Sequence, residues 1–133
     1  MNKVKILILL LSLTLLGSCK KNDFDTGIKA TVVFGSGDCM PIVNESSRIY
    51  ESYTGELYFI VKSDLDSLGS GDFSQLKANS IHKKVRHGKI SAELPAGTYV
   101  IMLENAFSND FVVTITQGII TEKELKFWQC TSW

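Results

Sequence analysis

The stretch GKISAELPAGTYV, residues Gly88–Val100, decides the fold that this sequence predicts. In its first half, KISAEL, apolar and polar residues alternate, which is the side-chain period of a β-strand with one buried face. Pro95 then suits the second position of a β-turn and Gly97 the fourth. Tyr99 enters the next strand where its ring can be buried and its hydroxyl can bond back to the backbone, as in a tyrosine corner. The stretch therefore predicts a strand, a tight turn and a second strand.

Short β-branched and aromatic runs of the same kind, separated by Gly, Pro, Asn and Asp, occur along the rest of the chain. They predict seven strands, at Ile28–Phe34, Glu56–Lys62, Ser80–Arg86, Lys89–Leu94, Thr98–Glu104, Asp110–Thr116 and Ile120–Trp128. His87-Gly88 is predicted as a tight hairpin turn, and Gly118 as the turn before the last strand. Seven short strands in about one hundred residues predict an all-β, antiparallel-rich sandwich of two sheets.

Two kinds of segment depart from the strand pattern. Between Asp64 and Asn79, Ser or Asp residues precede Leu and Phe at helical spacing, so we expect a short helical or loop insertion near residues 64–79. The tetrapeptide GSGD occurs at Gly35–Asp38 and again at Gly69–Asp72, and it predicts a turn at both places.

Gly88–Val100 resembles the strand–turn–strand of transthyretin-like (prealbumin-like or Cna-B-like) β-sandwich modules. The chain from VVFGSGDCMP to FWQCTSW is also similar to small Bacteroidetes-type lipoproteins that carry such a domain. The resemblance implies a transthyretin-like or Ig-like sandwich, and it brings no catalytic residues with it.

Cys39 and Cys130 follow the first and the last predicted strand. In a sandwich of this type those two strands commonly lie side by side and parallel, so both cysteines would emerge at the same end. Adjacent strand ends meet the Cα separation that a disulfide requires, and an exported chain is in an oxidising compartment. We therefore expect a Cys39–Cys130 disulfide; two separate buried thiols are the alternative.

The N-terminus has the features of a secretory signal. Lys3 and Lys5 precede the apolar run Ile6–Leu16, which is too short to span a bilayer as a helix, and small residues follow it. The order LGSC, Leu16–Cys19, resembles the lipobox of bacterial lipoproteins. The resemblance implies cleavage before Cys19, with palmitate-like acyl chains on the new N-terminal cysteine; two or more such chains hold a protein firmly on a membrane.

The predicted organisation is therefore a signal peptide at 1–18, a lipidated tether at 19–26 and a sandwich domain at 27–133. Loss of Lys3 and Lys5 with the signal peptide leaves 12 Lys and Arg against 14 Asp and Glu, a formal net charge of −2. Such a charge gives no overall attraction to nucleic acid. Lys20 stands where an inner-membrane retention signal would have Asp, so we expect the outer membrane, on either its periplasmic or its surface side.

The sequence matches the patterns of known metal sites only in part. His82 and His87 with the two later cysteines would make a zinc site only if strand geometry brought both histidines to one face, and their odd separation places them on opposite faces. The acidic loop Asp64–Asp72 matches a calcium loop in part, but Leu68 and Gln75 occupy ligand positions. We predict no cofactor and no metal.

The candidate binding surface combines the basic stretch His82–Lys89 with the two tryptophans. The basic stretch either meets phosphates or acidic glycans, or is a solvated hairpin whose charges discourage edge pairing. The tryptophans either stack on a sugar or a protein, or cover the sheet and shield the disulfide. The candidate residues are Lys83, Lys84, Arg86, Lys89, Trp128 and Trp133.

These features predict a membrane-anchored lipoprotein of the cell envelope, not an enzyme, that binds or assists an envelope protein or glycan. Two alternatives stay open. One is an envelope enzyme or metal-dependent protein that uses the His82/His87 hairpin or the Asp64–Asp72 loop. The other is a structural or adhesion subunit that assembles through sheet edges.

Overall fold

The computed structural model describes residues 24–39, 44–104 and 111–132. The predicted signal peptide, Cys19, Asp110 and Trp133 lie outside these residues. The described chain forms strands and short helices in the order β1 Gly27–Asp38, β2 Glu51–Ser52, β3 Gly55–Val61, α1 Lys62–Asp66, α2 Phe73–Asn79, β4 Ile81–Val85, β5 Lys89–Glu93, β6 Gly97–Leu103, β7 Phe111–Ile115 and β8 Ile120–Ser132. A 3-10 turn covers Glu45–Ser47.

The strands make two four-stranded sheets, which confirms the predicted all-β sandwich. In the first sheet, β8 runs parallel to β1 along one side, from Gly27 opposite Ile120 to Gly37 opposite Cys130. On the other side β1 pairs antiparallel with β5 and then with β2. The second sheet is antiparallel throughout, in the order β4-β3-β6-β7.

The hydrophobic core lies between the sheets and follows the alternation that the sequence shows. In β5 the alternate residues Ile90 and Ala92 are buried, and in β8 Leu125 and Phe127 are each 1% exposed. The Phe127 ring packs edge-on against Phe111 of β7, with 5.0 Å between ring centroids, which closes one side of the sandwich. Other fully buried core side chains are Ile28, Val32, Leu57, Phe59, Val85, Leu94 and Ile101.

The predicted His87-Gly88 hairpin turn has the expected geometry. His87 and Gly88 have φ of 50° and 71°, and Arg86 and Lys89 on either side exchange backbone hydrogen bonds. Positive φ at both central residues is the mark of a two-residue hairpin turn. This hairpin leads from β4 in the second sheet to β5 in the first.

The tyrosine corner is also confirmed. The hydroxyl of Tyr99 donates to the carbonyl oxygen of Pro95 at 2.8 Å, while the residue as a whole is 4% exposed. A buried phenol needs such a partner, because an unpaired hydroxyl in the core costs free energy. The bond fixes the turn between β5 and β6.

The predicted insertion forms α1 and α2 on the outer face of the second sheet, where they contact β3 and β6. Asp72 caps α2 by accepting a hydrogen bond from the backbone of Gln75 at 3.2 Å. Outward-facing Ile60 and Val100 are 0% and 4% exposed beneath this insertion. Among the described residues, no helix has the length and apolar character to cross a membrane.

The first strand differs from its prediction. Gly35–Asp38 continues β1 instead of turning, and it stays paired with β8. A Cβ added at Gly37 would approach the indole of Trp128 to 2.8 Å, so glycine there lets the ring lie directly on the strand. The second GSGD, between the two helices, is a turn with Gly69 at φ 56°.

Candidate functional site

The predicted basic surface does not form one patch. Lys83 lies between Ile81 and Val85, which face the core, so it occupies an inward position of edge strand β4. Lys84 lies on the outer face of the second sheet, on the same side as His82, whose ring is 5.6 Å from that of Tyr58. Both lysines are exposed, but they lie on opposite faces of β4.

The rest of the basic stretch belongs to the hairpin and to the first sheet. Arg86 flanks the hairpin turn. Lys89 lines an open depression of about 720 Å³ on the outer face of the first sheet, together with Lys29, Glu122 and Glu124. Lys123 also lines this depression, which therefore carries charges of both signs, three lysines and two glutamates.

Trp128 is not an accessible ring, so it is not available in this structure to stack on a sugar or a protein. It is 9% exposed although it projects from β8 away from the core between the sheets. The guanidinium carbon of Arg48 lies 4.9 Å from its ring centroid, and the ring of Tyr50 meets it edge-on at 5.5 Å. The indole is therefore covered by the segment that precedes β2. Trp133 lies outside the described residues.

The covering segment, Asn44–Tyr50, is held by side chains as well as by its 3-10 turn. Arg48 pairs with Glu45 through Nη1 and Oε2 at 2.8 Å. The hydroxyl of Tyr50 donates to Oε1 of the same carboxylate at 2.7 Å. The hydrogen bond from Tyr50, followed by the charge of Arg48, lowers the pKa of Glu45 although burial opposes this, while burial raises the pKa of Tyr50. Both shifts keep the carboxylate charged and the phenol neutral at pH 7.

Ile49 stands out on this segment because its side chain is 79% exposed while its neighbours are held. Arg48 and Tyr50 flank it, and Lys126 of β8 places its Nζ 6.0 Å from the Tyr50 ring centroid. We call Arg48, Ile49, Tyr50 and Lys126 the Ile49 surface. The sequence did not predict the Ile49 surface, because Asn44–Tyr50 shows neither strand nor helix periodicity. The one sequence feature that could have indicated it is the order of a cation, an aliphatic and an aromatic residue in RIY, Arg48–Tyr50.

The disulfide fastens the same end of the sandwich. Cys39 and Cys130 are bonded, with Cα atoms 5.4 Å apart, which confirms the predicted pair. Cys130 follows Trp128 by two residues, so the bond holds the end of β8 next to the ring that Asn44–Tyr50 covers. The Ile49 surface therefore rests on a fixed support.

The metal sites weighed from the sequence are not assembled. Cys39 and Cys130 are bonded to each other. Nδ1 of His82 lies 3.4 Å from the carbonyl oxygen of Ser80. In the acidic segment, Asp66 pairs with Lys62 at 2.6 Å and Asp72 caps α2. Within the part of the chain that the structure describes, His, Cys, Asp and Glu form no group of three suited to a metal ion.

No protein-family model, curated protein or solved structure matches this chain.

Proposed function

We propose that this protein is a lipid-anchored, non-catalytic binding or accessory module of the bacterial cell envelope, and that its partner meets the Ile49 surface. The lipobox-like residues Leu16–Cys19 support the anchor. The observation that carries the binding function is the exposure of Ile49, 79%, on a segment whose flanking residues are fixed.

The physical reason lies in the cost of ordering. A partner that binds a mobile loop must immobilise it, whereas a segment that is already held loses little entropy on binding. Arg, Tyr and apolar anchors are the side chains that commonly dominate protein interfaces. The Ile49 surface offers an apolar anchor between a guanidinium and a phenol, with Lys126 at its border. The partner that complements the Ile49 surface best is a protein with an apolar pocket for Ile49 and with acidic or carbonyl groups at the rim of that pocket.

Assembly through sheet edges is less well supported. β4 and β8 are edge strands of the two sheets. Lys83 of β4 and Lys123 of β8 lie on the same strand faces as neighbouring core residues, and both are exposed. A charge at an inward position of an edge strand opposes pairing with another strand, because pairing would bury it.

Two measurements test the proposal separately. Labelled palmitate should enter the full-length chain in cells and should be lost in Cys19→Ala; equal labelling of the variant would refute the anchor.

A photo-crosslinking residue at position 49 should give one discrete adduct in cells. The matched control is the same residue at Val112, which is 52% exposed on β7, in the sheet that does not contain the disulfide. Adducts that are equal at both positions, or missing at 49, would refute the binding surface.

A further inference from the structure

We infer that the domain contacts the lipid bilayer through the end at which the chain enters it, with Ile119 as the contacting side chain. The Ile49 surface then points away from the membrane. The inference rests on the lipid anchor proposed above and adds to it an orientation and a second interaction surface, whose partner is a lipid surface.

Three chain segments meet at this entry end, around Thr26, which is 6% exposed. The backbone carbonyl of Thr26 accepts a hydrogen bond from Leu94 at 3.3 Å, where the β5–β6 turn begins. Its hydroxyl accepts from the backbone of Gly118 at 2.9 Å, in the β7–β8 turn. Gly27 donates to the carbonyl of Ile119 at 3.3 Å. The point where the chain enters the sandwich is thus bonded to both turns beside it.

The anchor is close to this end. Cys19 precedes Phe24, the first described residue, by five residues. Five fully extended residues span at most about 18 Å. Thr26 is hydrogen-bonded into the domain, so a lipid on Cys19 keeps the entry end near the bilayer. The opposite end of the domain therefore cannot replace the entry end at the bilayer.

The opposite end is much farther away. β1 has 12 residues, from Gly27 to Asp38, and at roughly 3.3 Å per residue it spans about 36 Å. The backbone of Ile49 passes beside Gly35. That glycine is eight residues along β1 from Gly27, a distance of about 26 Å at the usual strand rise. The length of β1 therefore separates the Ile49 surface from the bilayer.

Ile119 gives the entry end its apolar contact. It is 53% exposed in the β7–β8 turn, next to Gly118, whose φ is 75°. The charged residues that line the nearby pocket are Asp25, Lys83 and Glu93, which are of mixed sign. Since these three charges sum to −1, they do not attract anionic headgroups, and we assign the contact to the apolar side chain of Ile119.

The test uses the full-length lipidated protein in vesicles of phosphatidylethanolamine and phosphatidylglycerol. Ile119→Cys and Ile49→Cys each accept a fluorophore, because Cys39 and Cys130 are bonded to each other. Headgroup spin-labelled lipid should quench the label at 119 at least twofold more than the label at 49. Equal quenching, or stronger quenching at 49, would overturn the orientation. Flotation of the unlabelled protein is measured first: if it fails to float, the anchor itself is refuted.

A second variant separates contact by Ile119 from simple nearness. A label at Ala96→Cys, in the exposed β5–β6 turn, reports the same end. Ile119→Asp should reduce its quenching at least twofold, while Val112→Asp, a change at a similarly exposed site on β7, should leave it unchanged. Undiminished quenching in Ile119→Asp would show that the tether alone places this end, and would overturn the contact.

Discussion

Removal of the disulfide, by the double substitution Cys39→Ala and Cys130→Ala, should cause a large loss of stability. The bond closes a loop with a sequence separation of 91. In the chain-entropy model a loop of that length restricts the unfolded chain by about 4.6 kcal/mol at 25 °C. The parallel pairing of β1 with β8 extends along both strands up to the cysteines, so the native end should change little. The loss therefore arises mainly in the unfolded state.

Urea unfolding of the wild type and the double variant measures this directly. We expect a loss of about 3–4.6 kcal/mol, a decrease in Tm of about 15 °C, and a larger m-value because the uncrosslinked chain exposes more surface. Gln129→Ala, an exposed change beside Cys130, is the control and should shift stability by less than about 0.5 kcal/mol. A loss below about 1 kcal/mol in the double variant, with an unchanged m-value, would refute the reasoning.

Three further predictions concern single side chains. Trp128→Ala should cost about 3–4 kcal/mol in urea unfolding, because the ring is 9% exposed; a cost below about 0.5 kcal/mol would mean that the ring is a surface group. Tyr99→Phe should cost about 1 kcal/mol in the same assay, because it removes one hydrogen bond across the β5–β6 turn, and an unchanged midpoint would contradict that bond. The hydrogen bond from Tyr50 lowers the pKa of Glu45, so the Asn44–Tyr50 contacts hold above pH 4.5 and are lost as pH falls through the lowered value. In a Trp133→Phe background, Trp128 fluorescence should change with a midpoint below pH 4.5 and lose this step in Glu45→Gln; a midpoint above 4.5 would contradict it.

Much of the fold could be predicted because strand periodicity is local. The alternation in β5 identified its buried face directly, and Pro95 with Tyr99 identified the corner between β5 and β6. The disulfide followed once the first and last strands were expected to be parallel neighbours. β2, by contrast, has two residues and pairs only through Val33 and Phe34, so no period could have shown it.

The candidate site was harder to predict, since its members are far apart along the chain. Arg48 and Tyr50 meet Trp128 across about eighty residues of sequence. Alternation along β8 puts Trp128 on the face opposite Leu125 and Phe127, but it cannot show that another segment covers that face. The same limit applies to the basic stretch, whose lysines are neighbours in sequence yet lie on different faces.

The sequence by itself determined what short-range patterns encode: an all-β sandwich, its turns, the helical insertion and the cysteines available for pairing. Only the tertiary structure decided which faces stay open. It covered Trp128 with Asn44–Tyr50, left Ile49 exposed, and placed Ile119 and the disulfide at opposite ends of β1. The physical reason is that backbone period and turn chemistry depend on adjacent residues, whereas exposure depends on which distant segment packs against a face.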